Sequence, residues 1–248
     1  MNPAEFVNIA RAEDQMWWFA GMRKILEAWI GRLPDARFEK VLEGGCGTGY
    51  MSRWLSQRYG WRMFPADLDF DGLSYGMREG VARMAQTDIT ALPYQDQCFD
   101  AVVSLDVVVH LLKGQEVHAF KEFLRVLRPG GKLILRASAL EILKSRHSVF
   151  ASERQRFDRR RLEDSLGKAG FQLLDCSYAN SLLMPVALFK FRVWEELTRQ
   201  EPRSGVEIPG ALLNALLRVP LEVEAGCLKA GLRFPLGQSL LVLAERKY

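Results

Sequence analysis

The segment 43–49, EGGCGTG, constrains the fold of this chain more than any other feature. It follows a short buried-strand candidate at residues 40–43 and precedes a segment whose apolar residues recur at helical spacing. Glycine is needed where a chain turns sharply or where a ligand approaches bare backbone. The spacing lacks the last glycine of a dinucleotide fingerprint, and the Gly-Lys-Ser/Thr of a P-loop is missing. The segment predicts a strand–turn–helix unit, although a turn that binds nothing would fit the glycines alone.

Strand-like and helix-like segments alternate beyond this turn, which predicts an α/β fold. The Pro-Gly-Gly of residues 129–131 is expected to end a helix. Strands are predicted at residues 40–43, 61–66, 83–87, 99–105, 132–137, 171–178 and 239–244. Helices are predicted over the first 33 residues and at residues 71–82, 158–169, 181–199 and 210–230. The pattern therefore indicates a mostly parallel sheet with helices on both faces and a helical insertion before the last strand.

Two carboxylates end consecutive strands of this predicted sheet. Asp67 follows the second strand, about 20 residues after the glycines, where an acid binds ribose hydroxyls in nucleotide-binding α/β folds. Asp88 follows the third strand, where it can accept a hydrogen bond from an exocyclic amine while Ile89 offers an apolar edge to a purine. Either acid alone would be expected to cap a helix or a turn. Together with the glycine turn they predict an adenosine pocket at the carboxyl ends of the strands.

Composition limits the classes of partner. The formal net charge is only +4 among 248 residues, which makes nucleic acid an unlikely partner. The four cysteines are scattered without metal-ligand spacing, so we predict no metal site and reduced thiols. The N-terminal stretch is polar and the longest apolar run is too short to span a bilayer. A cytoplasmic protein without a transmembrane segment is therefore expected.

The stretch from VLEGGCGTG through ADLD, TDITALPYQDQCFDAVVSLDVVVHL and EFLRVLRPGGKLIL resembles the class I S-adenosylmethionine (SAM)-dependent methyltransferases of the type 11 group. The resemblance covers residues 40–137. It implies a Rossmann-like seven-stranded, mostly parallel sheet with an antiparallel last strand and helices on both faces. It also implies SAM as cofactor and S-adenosylhomocysteine as product.

The same resemblance implies a role for individual positions. The glycine turn, opened by Glu43, would lie under the methionine moiety, with Asp67 on the ribose and Asp88 and Ile89 on the adenine. The flanking WWF element with its following arginine resembles a narrower subgroup, in which it forms a lid over the cofactor. The cofactor-binding residues predicted in this way are Glu43, Gly45, Cys46, Gly47, Gly49, Asp67, Leu68, Asp88, Ile89, Leu105, Asp106, Arg23 and Trp18. The aromatic residues of the WWF element fit a hydrophobic core equally well.

We expect one structural domain with four parts. Residues 1–38 would form an N-terminal helical lid, and residues 39–180 the SAM-binding core. Residues 181–237 would form a helical insertion that caps the acceptor, or alternatively line an apolar acceptor pocket or rest on a membrane surface. Residues 238–248 would supply the last strand.

Two histidines are candidates for a catalytic base. His110 follows the fourth strand close to the expected acceptor and matches a position that often carries histidine in the resembling family, whereas His147 follows the fifth strand and is the second candidate. His118 falls in the middle of a helix and is expected to face solvent. Methyl transfer needs a base for a hydroxyl acceptor, whereas an amine need only arrive neutral.

The leading hypothesis is an enzyme that methylates an oxygen or nitrogen atom of a small molecule, anionic or hydrophobic. A basic cluster at residues 154–161 is expected to be a solvated surface, with an anionic acceptor or an RNA backbone as alternatives. The rival functions are an RNA or protein methyltransferase and a non-catalytic SAM-binding protein. Sequence alone leaves the acceptor and the oligomeric state open.

Overall fold

A computed structural model describes residues 2–199 and 201–247. Within them, seven strands form one sheet in the order β3-β2-β1-β4-β5-β7-β6. The strands are β1 (Lys40–Gly44), β2 (Arg62–Asp67), β3 (Ala85–Gln86), β4 (Phe99–Leu105), β5 (Leu127–Ser138), β6 (Phe171–Ala179) and β7 (Ser239–Arg246). Strands β1 to β5 pair in parallel, whereas β7 runs antiparallel between β5 and β6. The predicted fold class is confirmed.

Helices cover both faces of the sheet, and two of them precede β1. They are α1 (Pro3–Ala12), α2 (Trp17–Ile30), α3 (Tyr50–Tyr59), α4 (Phe70–Arg78), α5 (Glu116–Val126), α6 (Arg146–Phe150), α7 (Arg159–Ala169), α8 (Met184–Phe189), α9 (Glu195–Leu197) and α10 (Ala211–Lys229). A π-helical turn, Lys190–Trp194, joins α8 to α9, and short 3₁₀ turns lie at Val108–His110 and Glu141–Leu143. No helix in these two described ranges is long and apolar enough to cross a bilayer.

Side chains that alternate between the two faces of the central strands contribute to two hydrophobic cores. Leu42 and Val102 contribute to a cluster with Phe120 of α5 and Leu162 of α7. Their neighbours Val41 and Val103 contribute to a second cluster, which includes Trp29 of α2, Leu55 of α3 and Leu221 of α10. Successive residues of a strand point to opposite faces, so strands with both faces covered are apolar throughout. This explains the continuous apolar runs in the sequence.

Several predicted boundaries were wrong. The N-terminal helices predicted over the first 33 residues are present as α1 and α2, and the errors lie further along the chain. The third strand has only two residues, and the helix predicted at residues 71–82 ends at Arg78. The Pro-Gly-Gly of residues 129–131 does not end a helix, because α5 already ends at Val126. These three residues lie inside β5, where the pairing register between β4 and β5 shifts between Phe99 and Ala101. That irregularity accommodates the extra residues of β5 without breaking the strand.

Candidate active site

A cavity of about 1100 Å³ opens at the carboxyl ends of the parallel strands. Its floor is the glycine turn and the ends of β2 and β4, and its walls come from α1, α2, the segment 145–156 and the segment 203–209. Open α/β sheets bind ligands at this edge, where the strand order reverses. Ligand pockets usually enclose about 300–1,000 Å³, so this one has room for a nucleoside-sized ligand and a second molecule.

The glycine turn brings backbone close to the cavity. Gly45 has φ +84°, and a Cβ there would lie 2.1 Å from the Cγ2 atom of Val107. Gly49 has φ +74° and forms the N-cap of α3. The N–H groups of Gly45 and Cys46 donate to the carbonyl of Ala66, at 2.7 and 3.0 Å. The positive φ values and the contact with Val107 explain why glycine is required.

Asp67 lies half-buried at the end of β2, beside the glycine turn. Its Oδ2 atom accepts from the N–H of Gly47 at 2.7 Å, and its Oδ1 atom accepts from the N–H of Asp69 at 2.9 Å. An ionised carboxylate has about four acceptor positions, so each oxygen retains one. The geometry thus leaves Asp67 able to bind two neighbouring hydroxyl groups.

Asp88 and Ile89 lie on the same cavity wall. The Oδ1 atom of Asp88 accepts from the N–H and the hydroxyl of Thr90, at 2.8 and 2.7 Å. Its Oδ2 atom has no hydrogen-bond partner in the part of the chain that the structure describes. Ile89 is buried, whereas Leu68 across the cavity is 64% exposed. A carboxylate oxygen beside an apolar surface suits a flat ring with an exocyclic amine.

Asp106 follows β4 and forms an ion pair that sequence reasoning missed. Its Oδ2 atom lies 2.7 Å from the guanidinium of Arg136. That guanidinium forms a cation–π contact with Trp18, its Cζ atom lying 5.1 Å from the ring centroid. The Oδ1 atom of Asp106 is buried in the cavity wall without a partner in the described residues. Arg136 lies on β5, which pairs with β4 in the sheet. This pairing brings Arg136 beside Asp106, a contact that the sequence does not indicate. Leu105 lines the same wall.

Arg23 lies in the cavity wall but is used within the protein. Its guanidinium donates to the carbonyls of Glu13 and Asp14, at 2.5 and 3.0 Å, and lies 5.1 Å above the ring of Tyr50. No carboxylate forms an ion pair with it in residues 2–199 and 201–247. Arg23 therefore holds the turn between α1 and α2 while keeping its charge available to an anion.

Two buried glutamates lie beside the glycine turn. Burial raises the pKa of Glu43 to about 8, although the hydroxyl of Ser52 donates to it. Burial also raises the pKa of Glu13 to about 7, although it accepts from the Thr48 hydroxyl at 2.6 Å. Glu13 is the C-cap residue that follows α1, and it lies 35 residues away from Thr48. No local sequence signal could have identified it.

The two candidate histidines differ in their hydrogen bonding. The Nδ1 atom of His110 lies 3.2 Å from the carbonyl of Ser152, which can only accept, so Nδ1 carries the proton. The Nδ1 atom of His147 instead accepts from the N–H of Gly205 at 3.0 Å, so its proton is on Nε2. Burial lowers the pKa of both rings. In their neutral forms, only His110 has a free Nε2 lone pair. His118 is exposed, as predicted.

The basic cluster at residues 154–161 does not form one solvated surface, and that expectation was wrong. The Arg156 side chain is only 10% exposed and lies 3.0 Å from Glu153. Arg161 lies 2.9 Å from Glu116, which is buried. Arg154, Arg159 and Arg160 are exposed. The loop folds back on β5, so neighbouring arginines enter different surroundings.

Comparison with known proteins finds similarity to methyltransferases. A family model described as a methyltransferase domain matches residues 42–135. The malonyl-[acyl-carrier protein] O-methyltransferase of Herminiimonas arsenicoxydans is 31% identical over 186 residues, which are 68% of this chain and 67% of that protein. Phosphoethanolamine N-methyltransferase 1 of Zea mays is 28% identical over 102 residues, covering 39% of this chain and 20% of that protein. The chain spans between 20% and 47% of the length of the first three curated relatives it matches.

Solved structures share the fold at low sequence identity. One chain of the complex that contains the Haloferax volcanii Trm112 methyltransferase activator has a TM-score of 0.65 and 18% identity, with 99% of this chain and 95% of that chain covered. A SAM-dependent methyltransferase from Archaeoglobus fulgidus has a TM-score of 0.59 and 17% identity, with coverages of 94% and 97%. The cyclase SpnF also matches, with a TM-score of 0.58 and 19% identity over 90% of this chain and 80% of that chain. The fold therefore does not by itself specify the reaction.

Proposed function

The chain belongs to the class I SAM-dependent methyltransferases of the type 11 group, and on that premise we propose that it transfers a methyl group from SAM to an oxygen or nitrogen atom of a small-molecule acceptor. The observation that carries this proposal is the joint position of the glycine turn, Asp67, Asp88 and Asp106 in one cavity. Asp67 would bind the ribose, and Asp88 with Ile89 would bind the adenine.

The residues present fit SAM. The free acceptor positions of Asp67 match the two ribose hydroxyls, and the unpartnered Oδ2 atom of Asp88 matches the adenine amine. The buried Oδ1 atom of Asp106 lacks a donor, which the ammonium group of the methionine end would supply. Arg23 is the cation available for its carboxylate. When bound, SAM supplies an activated methyl group and a neutral leaving group.

The protein then has three tasks: to align the acceptor, to exclude water and to receive a proton. His110 is the residue that we propose as base. Its Nδ1–H bond to the carbonyl of Ser152 orients the ring and leaves Nε2 free to accept a proton from an acceptor hydroxyl. We do not assign this role to His147, because its unprotonated nitrogen, Nδ1, already accepts a hydrogen bond from the N–H of Gly205.

We propose that residues 1–38 act as the lid and residues 181–237 as the acceptor cap. Glu13, the C-cap of α1, holds the glycine turn through Thr48, and Trp18 of α2 stacks on Arg136. From the other side, Ser204 donates to Glu5 of α1 at 3.1 Å, which closes the cavity across its mouth. Both segments would need to move to admit a cofactor and an acceptor.

Three cations of the cavity lining are available to an anionic acceptor. Arg154, Lys190 and Arg203 line the cavity, and none has an ion-pair partner among the described residues. Over the whole lining, acids outnumber lysines and arginines by ten to seven, so an anion would be bound by these three cations and not by the net charge of the cavity. Free guanidinium and ammonium groups suit a carboxylate or a phosphate.

The decisive experiment is calorimetry of the purified protein with SAM, S-adenosylhomocysteine and NAD. We expect both adenosyl ligands to bind and NAD to give no heat. A screen with methyl-labelled SAM and paired acceptors, with and without a phosphate or carboxylate, should then show label transfer. Binding of NAD without SAM would contradict the family-based proposal. Tight SAM binding without transfer to any acceptor class would favour a non-catalytic SAM-binding protein.

A further inference from the structure

Exposed apolar side chains are concentrated in the segment before the last strand. Of the 22 large apolar side chains that are exposed in the described residues, 14 lie between Leu182 and Leu236. This segment is less than a quarter of the chain. Single exposed apolar residues are normal on protein surfaces, whereas a concentration of them marks an interaction site.

Helix α10 has two opposite apolar faces. Leu221, Ala225 and Leu228 are buried in the core that contains α2. At 3.6 residues per turn, a second stripe lies on the opposite side of the helix. It consists of Leu212 (76% exposed), Leu216 (59%), Val219 (51%) and Val223 (52%). Core packing accounts for the first face only, so the second face has no partner within the described residues.

The segment 182–197, which contains α8, the π-helical turn and α9, carries a similar stripe. Its exposed apolar residues recur three to four positions apart: Leu182, Val186, Phe189, Val193 and Leu197. Phe189 is 59% exposed and Trp194 is 53% exposed. Aromatic side chains with apolar neighbours are typical of helices that lie at a membrane–water interface.

The charges around these stripes are mostly positive. Between residues 182 and 236 there are seven lysines and arginines, all of them exposed. Of the six glutamates in the same segment, Glu195 and Glu224 are buried in the protein. Four acidic side chains therefore remain at the surface, and the segment presents a net charge of about +3, which falls to about +2 because Asp175 of β6 neutralises Arg233. Such a surface is complementary to anionic lipid headgroups, whereas two copies of it would repel each other.

We propose that the exposed apolar stripes of residues 182–197 and 212–223 dock the protein peripherally on an anionic bilayer surface. The stripes would enter the interface, and Lys190, Arg192 and Arg199 would lie near the headgroups. Lys190 also lines the cavity, so docking would bring the cavity close to the membrane. The inference rests on surface chemistry and stays valid whichever methyl acceptor the site takes.

Vesicle co-sedimentation of the purified 248-residue chain tests the proposal. We expect binding to vesicles of phosphatidylcholine with phosphatidylglycerol, weak binding to phosphatidylcholine alone, and a loss of binding as salt rises from about 0.1 M to about 1 M. The double variants Leu212→Ser/Leu216→Ser and Phe189→Ser/Trp194→Ser should each lower the partition coefficient about tenfold or more. These side chains are exposed, so folding should be preserved, which circular dichroism would verify.

The matched control is Met77→Ser/Leu174→Ser, which removes two exposed apolar side chains outside the segment. It should bind vesicles like the wild type. Equal binding to neutral and anionic vesicles would overturn the proposal, and so would no binding to either. A dimer in light scattering that the Leu212→Ser/Leu216→Ser variant converts to a monomer would show that a second copy covers this face, which would also overturn it. Vesicle binding and light scattering can both be measured without SAM, so their outcome does not depend on whether SAM binds.

Discussion

At the residue scale, a backbone contact distinguishes the two candidate bases. The Ser152 carbonyl makes Nδ1 of His110 the protonated nitrogen, whereas the Gly205 N–H makes Nδ1 of His147 the acceptor. A base needs an unprotonated nitrogen directed at the proton that it removes. The sequence already favoured His110 and made His147 the second candidate, but it could not show which ring nitrogen of either is protonated.

We expect His110→Ala to lower turnover of a hydroxyl acceptor about a hundredfold. Burial lowers the pKa of His110, so the neutral base should persist below pH 6.5 and activity should fall only in more acidic solution. Single-turnover rates as a function of pH would measure both effects. The exposed His118 provides the control, because His118→Ala should retain the wild-type rate. A near-normal rate in His110→Ala would leave this residue with a structural role.

Asp67 serves both the glycine turn and the proposed ribose site. We expect Asp67→Ala to weaken SAM binding by about 1–3 kcal/mol, because hydrogen bonds to a buried polar ligand are lost. Calorimetry would measure the change. Asp71→Ala, in the first turn of α4, is the control and should bind SAM normally. Unchanged affinity in Asp67→Ala would remove Asp67 from the site.

At the scale of elements, α1 is held against the glycine turn by an acid that prefers to be protonated. Burial raises the pKa of Glu13 from 4.5 to about 7. The folded protein therefore binds this proton more tightly than the unfolded chain does. Its contribution to stability is greatest below pH 4.5 and decreases as the pH rises from 4.5 to about 7.

We expect Glu13→Gln to remove this dependence. Between pH 5 and pH 8, the free energy of unfolding of the wild type should fall by about 2 kcal/mol more than that of the variant. Urea unfolding at the two pH values would measure the difference. The raised pKa of Glu43 lowers the free energy of unfolding of both proteins in a similar way as the pH rises. Only the difference between wild type and variant therefore reports on Glu13. The exposed Glu201→Gln variant should follow the wild type, and parallel curves for Glu13→Gln and wild type would contradict the assignment.

At the scale of the whole molecule, one aspartate connects the two ends of the chain. Asp175 of β6 accepts from Arg32, which follows α2, and from Arg233, which precedes β7, at 2.6 Å each. Arg32 also donates to the carbonyl of Leu228 in α10 at 2.9 Å. Burial alone would raise the pKa of Asp175, but hydrogen bonds from Arg233 and Arg32 lower it. The pair with Arg32 is largely buried, with side-chain exposures of 10% and 14%.

We expect Asp175→Asn to destabilise the protein by about 3 kcal/mol, because Arg32 would be left buried without its counter-charge. Thermal or urea unfolding would measure the loss. Asp35→Asn breaks the fully exposed pair with Arg37 and should leave stability nearly unchanged. If both variants unfolded alike, the Arg32–Asp175 pair would have no special structural role.

Much of the fold could be predicted because its signals are local. The glycines of residues 43–49, the apolar strands and the strand-end acids Asp67 and Asp88 each depend on neighbouring residues, turn geometry and the periodicity of side chains. Parallel strands end at a common edge, so these residues had to meet. Element ends were less predictable, as the strand through Pro129-Gly130-Gly131 shows, because pairing with β4 overrides local turn preference.

The fold class, the position of the glycine turn and the set of strand-end acids are encoded locally, since they follow from short-range conformational preferences. The contacts of Glu13 with Thr48 and of Arg136 with Asp106, and the free nitrogen of His110, depend instead on the packing of the folded chain. Those contacts join residues 30 to 42 positions apart. They form only when packing brings distant segments together, and no pattern of neighbouring residues encodes them.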